Sequence, residues 1–135
     1  MSKLPPNERQ FLDESAYPGA LTTLREDGSP HTTVVWVDVS NGDVSFNTAR
    51  GRFKELNLSR DPRVSLLMVD PKDQYKWVSV SGRARLTEEG ADAQIDKLAK
   101  KYLGQDSYPW RSPEEQRVTV LITPEKVSSS GFDSG

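Results

Sequence analysis

The chain has 135 residues, with 18 basic and 20 acidic side chains and a formal net charge of −2. This length corresponds to one domain, and the near-neutral charge argues against bulk binding to nucleic acid. The absence of cysteine and the single histidine exclude disulfides, iron–sulfur clusters, thiol nucleophiles, and zinc sites built from thiolates or from several histidines.

The first half of the chain has the two-residue alternation that is typical of β-strands, after a short helical segment. Asn41 and Gly42 separate two of these strands and favour a two-residue type I′ turn, because both residues tolerate a positive φ. The pattern predicts a helix near residues 6–15 and strands at residues 20–25, 31–40 and 43–48.

The second predicted strand has two different faces, because side chains alternate across a strand. Val35, Val37 and Val39 form its apolar row, and we expect them in the core. The side chains expected on the opposite face are Thr32, Val34, Trp36 and Asp38.

The second half of the chain combines helices with longer strands. In residues 51–59, Phe53, Leu56 and Asn57 fall on one side of a short helix. A longer helix is expected from a Thr87 cap to Leu103, ending at Gly104. Strands are expected at residues 63–69, 75–86 and 117–123.

These elements predict a mainly β protein, an antiparallel six-stranded barrel with two or three helices. Residues 1–128 are expected to form the single domain, and residues 129–135 a polar, frayed C-terminal tail. The apolar content of 34% is low for an isolated core, which favours self-association. Because no segment resembles a membrane span or a signal peptide, we expect a cytoplasmic protein with no membrane partner.

Three basic side chains lie where a strand gives way to a helix: Arg50, Arg52 and Lys54. A helix start has unpaired N–H groups and a partial positive charge, so anions bind there. Arginine adds paired hydrogen bonds to an oxyanion, and lysine adds a point charge. The segment therefore indicates a phosphate or carboxylate site, with a solvated basic surface as the alternative.

Aromatic and polar side chains occupy the faces of the long strands opposite the apolar rows. Such a surface either packs against a partner protein or stacks on a flat ligand, and a pocket between subunits satisfies both interpretations. The side chains are Thr32, Trp36, Tyr75, Trp77, Ser79, Ser81, Arg83 and Arg85.

Two other side chains carry weaker signals. His31 follows Pro30 at a strand start, which is typical of a hydrogen-bonded surface histidine, so it is not assigned as a base. Trp110 in the segment YPWRSP is either a lid or the anchor of its own turn. The sequence therefore assigns no catalytic side chain and no metal ligand.

Four segments of the chain stand in an order and spacing that are specific together. They are LTTLREDGSPH at 21–31, TARGRFKELNLSRDPR at 48–63, WVSVSGRARL at 77–86 and RVTVLITPEKV at 117–127. The chain thereby resembles the pyridoxamine 5′-phosphate oxidase-like, FMN-binding split β-barrel family. Within that family it is most similar to the B-type deazaflavin-dependent oxidoreductases, which use coenzyme F420.

The resemblance implies a homodimer of split barrels with the cofactor in a groove between the subunits. It implies that Arg52, Lys54 and Asn57 surround the cofactor phosphate, with Lys54 as the phosphate lysine, and that Arg50 faces the acidic tail. Trp77 would approach from the other subunit. The strands along and beneath the cofactor edge would supply Thr32, Thr33, Val34, Asn47, Thr48 and Ala49.

The helix start departs from the flavin-using members of the family. These members have a pattern like Ser-Arg-Lys-Gly where this chain has Arg52-Phe53-Lys54-Glu55, so the serine and arginine contacts to FMN are missing. The departure favours F420 as cofactor, with FMN as the alternative. The implied function is hydride transfer between the deazaflavin and a small, flat, conjugated substrate.

Three other functions remain open at this stage. They are an FMN-dependent oxidase or reductase, a non-catalytic flavin or deazaflavin binder, and a barrel that binds single-stranded nucleic acid. The last is disfavoured by the net charge and by the single basic segment, so we expect no nucleic-acid partner.

Overall fold

A computed structural model describes residues 4–132 of the chain. None of the helices within that range is long and apolar enough to cross a membrane. In chain order the elements are α1 (Pro6–Glu14), β1 (Gly19–Leu24), β2 (Pro30–Val35), β3 (Asp38–Ser40), β4 (Asp43–Ala49), α2 (Phe53–Arg60), β5 (Arg63–Asp70), β6 (Asp73–Thr87), α3 (Ala91–Leu103) and β7 (Arg117–Ser130).

The strands form one antiparallel sheet in the order β2-β1-β5-β6-β7-β4-β3. The two outermost strands, β2 and β3, are consecutive in the chain and separated only by Trp36 and Val37. Two residues span only about 7 Å, so the two edges of the sheet lie side by side and the sheet closes into a split barrel.

The sheet has seven strands where the sequence predicted six, because the predicted strand 31–40 is divided. Val35 pairs with Gly19 of β1, whereas Asp38 pairs with Ser45 of β4. The chain changes partner at Val37, whose Cγ2 atom lies 2.6 Å from where a Cβ of Gly19 would stand. Only glycine leaves room for Val37 at this bend.

The core lies inside the barrel and contains the predicted apolar rows. Val35, Val37 and Phe46 are buried there, and Val39 packs against it. Asp38 differs from the prediction that it points outward, since it is 4% exposed. Its carboxylate accepts a hydrogen bond from Lys97 Nζ at 2.8 Å, which compensates its burial.

The last strand is longer than the predicted 117–123, because β7 stays paired with β6 as far as Ser130. Gly82 of β6 makes this pairing possible, since a Cβ there would lie 1.9 Å from the carbonyl oxygen of Thr123. Phe132 then packs edge-on against Phe11 of α1 at 5.4 Å between ring centres. The rest of the expected frayed tail, 133–135, lies outside the described residues.

The buried face of α2 agrees with the predicted one only at Asn57. Phe53 and Leu56 are exposed, and the helix buries Glu55 and Leu58 beside Asn57. Helical spacing identified the helix but could not select its buried side, because apolar and polar residues occur all round it.

The helix α3 begins later than predicted. Thr87 is the last residue of β6 and does not cap the helix, which begins at Ala91 after Gly90 in the left-handed conformation. Gly104 ends α3 as predicted, also with a positive φ.

Candidate functional site

A cavity of about 210 Å³ opens where the end of β2 meets β4, α2, α3 and the loop before β7. One wall is aromatic and aliphatic, and the other is cationic. The lining residues are Val34, Val35, Trp36, Asn47, Arg52, Lys54, Ile95, Leu98, Tyr108, Trp110 and Arg117.

Three cations reach the cavity because of the local fold around β4. Gly51, with a φ of 89°, turns the chain from β4 into α2, so that Arg52 precedes the helix and Lys54 lies in its first turn. Arg117 begins β7 and pairs with Ala49 in the β4 ladder. The turn and the ladder therefore bring residues from two distant segments to one place.

The start of α2 already has an internal carboxylate partner. The carboxylate of Glu55 accepts hydrogen bonds from the Gly51 backbone N–H at 2.8 Å and from Ser59 Oγ at 2.7 Å. The pKa of Glu55 is lowered mainly by the hydrogen bond from Ser59 and then by that from Gly51. Anion binding at this end therefore depends mainly on the side chains of Arg52 and Lys54.

Arg117 is the most enclosed of the three cations, with 5% of its surface exposed. Its Nε donates to Asn47 Oδ1 at 2.8 Å, and its guanidinium lies 5.3 Å from the centre of the Tyr108 ring. Asn47 is itself oriented, because its Nδ2 donates to Ala91 O at 2.8 Å and to Gln94 Oε1 at 3.0 Å. The amide oxygen of Asn47 must therefore face Arg117.

One carboxylate bridges two of the cations. Glu115 forms a short ion pair with Arg52, and its Oε1 lies 3.4 Å from NH1 of Arg117. With Lys54 included, three positive charges face one negative charge.

The aromatic wall is a continuous cluster of rings. Trp36 stacks on Tyr102 with ring centres 5.4 Å apart, and Tyr108 meets Trp36 and Trp110 edge-on at 6.1 and 5.6 Å. Tyr102 fixes the bend after β2, because its hydroxyl accepts from the Val37 N–H at 2.9 Å and donates to Tyr17 O at 2.7 Å. The wall offers faces and edges on which a flat ligand can pack.

The ammonium group of Lys54 is affected by its surroundings in the cavity. Burial lowers its pKa from the usual 10.5, and the neighbouring charges of Arg52 and Arg117 lower it further. An anion in the cavity would offset these effects, so it would bind more tightly to the protonated form.

The affinity of the cavity for sulfate is expected to fall several-fold between about pH 7 and about pH 10. Sulfate is a suitable probe because it stays a dianion over this whole pH range. The fall begins below the usual lysine pKa, because Lys54 loses its proton early. A Lys54→Arg variant keeps its charge throughout this range and should show a flatter profile. Calorimetric titrations at constant ionic strength measure both curves, and a parallel decline in the two proteins would contradict this role of Lys54.

Four of the predicted site residues line the cavity: Val34, Asn47, Arg52 and Lys54. Thr33 and Thr48 do not line it and only adjoin Val34 and Asn47 in the chain, but their hydroxyl oxygens, like His31 Nδ1, are enclosed without a hydrogen-bond partner among the described residues. Buried hydroxyls without partners are rare, and they are typical of sites that a water molecule or a ligand completes. Both hydroxyls are thus compatible with the predicted ligand site.

The remaining predicted residues do not line this cavity. Arg50 Nε donates to Glu88 at 3.0 Å, and Asn57 Nδ2 donates to Thr23 Oγ1 at 3.0 Å inside the barrel. The hydroxyls of Thr32 and Thr22 form a hydrogen bond of 2.9 Å on the outer face. Ala49 is buried and pairs with Arg117 in the β4–β7 ladder.

The two predicted strand tryptophans lie at different sites. Trp36 belongs to the aromatic wall, whereas Trp77 lines a separate shallow depression with Leu67, Val69, Ser79 and Ser128. The grouping of both on one outer face is therefore wrong, because the bend after Val35 takes Trp36 off that face.

The sequence patterns did not single out Arg117 and Glu115. Their signal was an arginine directly before the apolar alternation of the last strand, with a carboxylate two residues earlier. Only the register of β7 against β4 shows that this arginine joins the basic segment.

The chain matches a known family model over almost its whole length. The model, described as pyridoxamine 5′-phosphate oxidase, matches residues 4–131. The chain belongs to this family. The predicted resemblance to pyridoxamine 5′-phosphate oxidase-like proteins and the mainly β split barrel are thereby confirmed, with seven strands instead of six.

Several solved structures are similar to this chain. A protein described as an F420 reductase is 25% identical, with a TM-score of 0.76 and coverage of 88% of this chain and 94% of that one. A conserved hypothetical protein from Mycobacterium tuberculosis is 26% identical, with a TM-score of 0.73 and coverage of 100% and 92%. A putative pyridoxamine 5′-phosphate oxidase from Listeria innocua, 21% identical with a TM-score of 0.65 and coverage of 84% and 87%, shares the fold.

The family suggests what the cavity is able to hold. Pyridoxamine 5′-phosphate oxidase-like proteins bind flavins, and one of the similar solved structures is described as an F420 reductase. A cationic wall beside an aromatic wall fits such a phosphate-bearing, ring-containing group.

Proposed function

We propose that this protein is a cytoplasmic oxidoreductase that uses coenzyme F420 to transfer hydride to or from a small conjugated organic substrate. The observation that carries the proposal is the cavity in which Arg52, Lys54 and Arg117 face an aromatic wall, while the carboxylate of Glu115 pairs with two of these three cations. Such a surplus of positive charge beside ring faces is suited to a phosphate-bearing tricyclic cofactor.

In this proposal Lys54 and Arg52 bind the cofactor phosphate, and Val34 lies along the edge of the ring system. The enclosed hydroxyls of Thr33 and Thr48 supply hydrogen bonds after a small local movement, which would satisfy oxygens that now lack partners. Asn57 positions α2 and does not contact the cofactor. Its amide nitrogen donates to Thr23 Oγ1, and its amide oxygen accepts from Arg60.

The choice of F420 over FMN rests on two features. The segment from Arg52 to Glu55 lacks the serine and arginine expected for FMN, and the chain is similar to an F420 reductase over most of its length. The acidic tail of F420 also requires basic partners, and Arg50, at 41% side-chain exposure, would serve as one by exchanging its present ion pairs with Glu88 and Glu55 for the tail.

The single-chain cavity is smaller than the cofactor needs, which supports a homodimer with the cofactor at the subunit interface. Its volume of about 210 Å³ lies below the ~300 to 1,000 Å³ typical of sites for ligands of this size. A second subunit, with its copy of Trp77, would complete the groove.

The outer face of β2, β1, β5, β6 and β7 is suited to such an interface. One row across these strands consists of small or apolar residues without a charge: Val34, Ala20, Leu67, Ser79 and Ser128. Val34 is 69% exposed in the single chain, and Leu67 is also exposed. Burying this flat, uncharged row costs little desolvation and removes apolar surface from water.

In the reaction the cofactor supplies the hydride, and the protein residues bind and orient the reactants. Trp36, Tyr108 and Trp110 offer a stacking surface for a flat substrate beside the cofactor ring. A substrate stacked on these residues would displace water from the cavity. No acid or base side chain is needed for the hydride step.

A fluorescence titration of the purified apo protein with F420, and in parallel with FMN, tests this proposal. We expect F420 to bind at least tenfold more tightly than FMN, followed by oxidation of reduced F420 when conjugated acceptors are added. Tighter binding of FMN would assign the protein to the flavin-using branch. Binding of F420 without turnover of any acceptor would indicate a carrier, and binding of neither would refute the proposal.

A further inference from the structure

We propose that Glu115 is an internal counter-ion that occupies an anion subsite on Arg52 and Arg117 until an oxyanion group of a ligand displaces it. The subsite lies beside Lys54, and it takes a phosphate or carboxylate group. This inference rests on the proposed function for the identity of the ligand, but the anion subsite itself is independent of the deazaflavin.

The contacts of Glu115 are those that a ligand oxyanion would make. Its two carboxylate oxygens reach two different guanidinium groups, one on Arg52 and one on Arg117. Paired contacts between guanidinium groups and a carboxylate have the same geometry as those to phosphate. The side chain therefore stands where an external anion would bind.

Arg117 cannot readily leave the subsite. It is held by Asn47 and by the ring of Tyr108, and its guanidinium side chain is only 5% exposed. The orientation of Asn47 depends in turn on Gln94, whose Nε2 donates to Ser45 Oγ at 2.6 Å. This chain of part-buried and buried hydrogen bonds fixes the cation and leaves the carboxylate as the group that moves.

Glu115 is placed to move at little cost. It belongs to the irregular segment between α3 and β7, and its side chain is 26% exposed. Its backbone N–H donates within the same segment, to Ser112 O at 3.2 Å. A rotation of the side chain into water leaves this hydrogen bond intact and hydrates the carboxylate again.

The exchange is favourable because the cavity has more cations than carboxylates. Arg52, Lys54 and Arg117 share the single charge of Glu115, so a phosphate dianion compensates them better than one carboxylate does. The segment of Glu115 also carries Tyr108 and Trp110, which couples the anion subsite to the aromatic wall.

Inorganic phosphate, titrated calorimetrically at constant ionic strength, tests the subsite in the full-length apo protein. A counter-ion that is bound nine-tenths of the time lowers the apparent affinity about tenfold. We therefore expect Glu115→Gln to bind phosphate about five to ten times more tightly than the wild type. The matched control is Glu114→Gln, which removes the same charge from the adjacent exposed position and should change the affinity less than about twofold.

Equal or weaker phosphate binding by Glu115→Gln would overturn the proposal, because Glu115 would then be only a structural clamp. An equal gain in Glu114→Gln would also overturn it, since the effect would come from overall charge. Thermal melts check that the variants are folded, and Glu115→Ala replaces Glu115→Gln if the amide disturbs the segment. Because phosphate is the titrant, this outcome is independent of whether F420 binds.

Discussion

Lys54→Ala is expected to weaken F420 binding by about 1.5 to 3 kcal/mol, or roughly 10- to 150-fold, with little change in stability. Lys54 lines the cavity beside Arg52 and Arg117, and in the proposed function its ammonium group bonds the cofactor phosphate. Its lowered pKa indicates that the free cavity holds this charge at a cost, which a bound anion removes. Fluorescence titration of the variant with F420 measures the change.

Lys72→Ala is the matched control for this substitution. Lys72 is an exposed residue in the turn between β5 and β6, and it does not line the cavity. Its removal changes the net charge equally but should leave F420 affinity within about twofold, since exposed charges at a distance are screened. If the two variants bind F420 equally well, the phosphate does not bind at Lys54.

Local sequence patterns were sufficient for most of the fold. Asn41 and Gly42 form the predicted positive-φ turn, and Gly104 ends α3 as expected. The strand predicted at residues 75–86 is part of β6, and its alternating residues Val78 and Val80 are buried. Each of these features depends on neighbouring residues, so a single segment contains the information that it needs.

Features that depend on distant partners were not accessible in this way. The break at Trp36 and Val37 arises because β2 and β3 pair with opposite edges of the sheet. The buried side of α2 is selected by the barrel, which leaves Phe53 exposed and encloses Asn57 against Thr23. Neither result follows from residue spacing within the element concerned.

In the candidate site, too, the residues of one local segment were predictable and the residue contributed by a distant strand was not. The basic segment that contains Arg52 and Lys54 pointed to an anion site, and both residues line the cavity. Arg117 lies more than sixty residues further along the chain, and it reaches the same cavity through the pairing of β7 with β4. Its hydrogen bond to Asn47 fixes the guanidinium group in the cationic wall of the cavity.

Asn47→Leu is expected to lower the free energy of unfolding by about 3 kcal/mol and to weaken phosphate binding as well. The substitution leaves Arg117 Nε without its acceptor, and an unsatisfied donor costs about 1 to 3 kcal/mol, more on a charged group. The lost contacts to Gln94 Oε1, which keeps the hydrogen bond from Thr119 Oγ1, and to Ala91 O at the start of α3 add a smaller part. Chemical denaturation measures the stability, and calorimetry with phosphate measures the affinity.

Asn47→Asp separates the two effects of Asn47. The aspartate still accepts from Arg117, now as a charged hydrogen bond, but its second oxygen faces Ala91 O, and a turned Gln94 amide would bring its oxygen towards the Asp38 carboxylate. Stability should therefore recover only through the Arg117 contact, whereas phosphate affinity should stay low because the new charge opposes the anion. A loss of less than about 1 kcal/mol in Asn47→Leu would mean that Arg117 is held by other contacts, since a buried guanidinium that loses its main acceptor cannot remain in place at so small a cost.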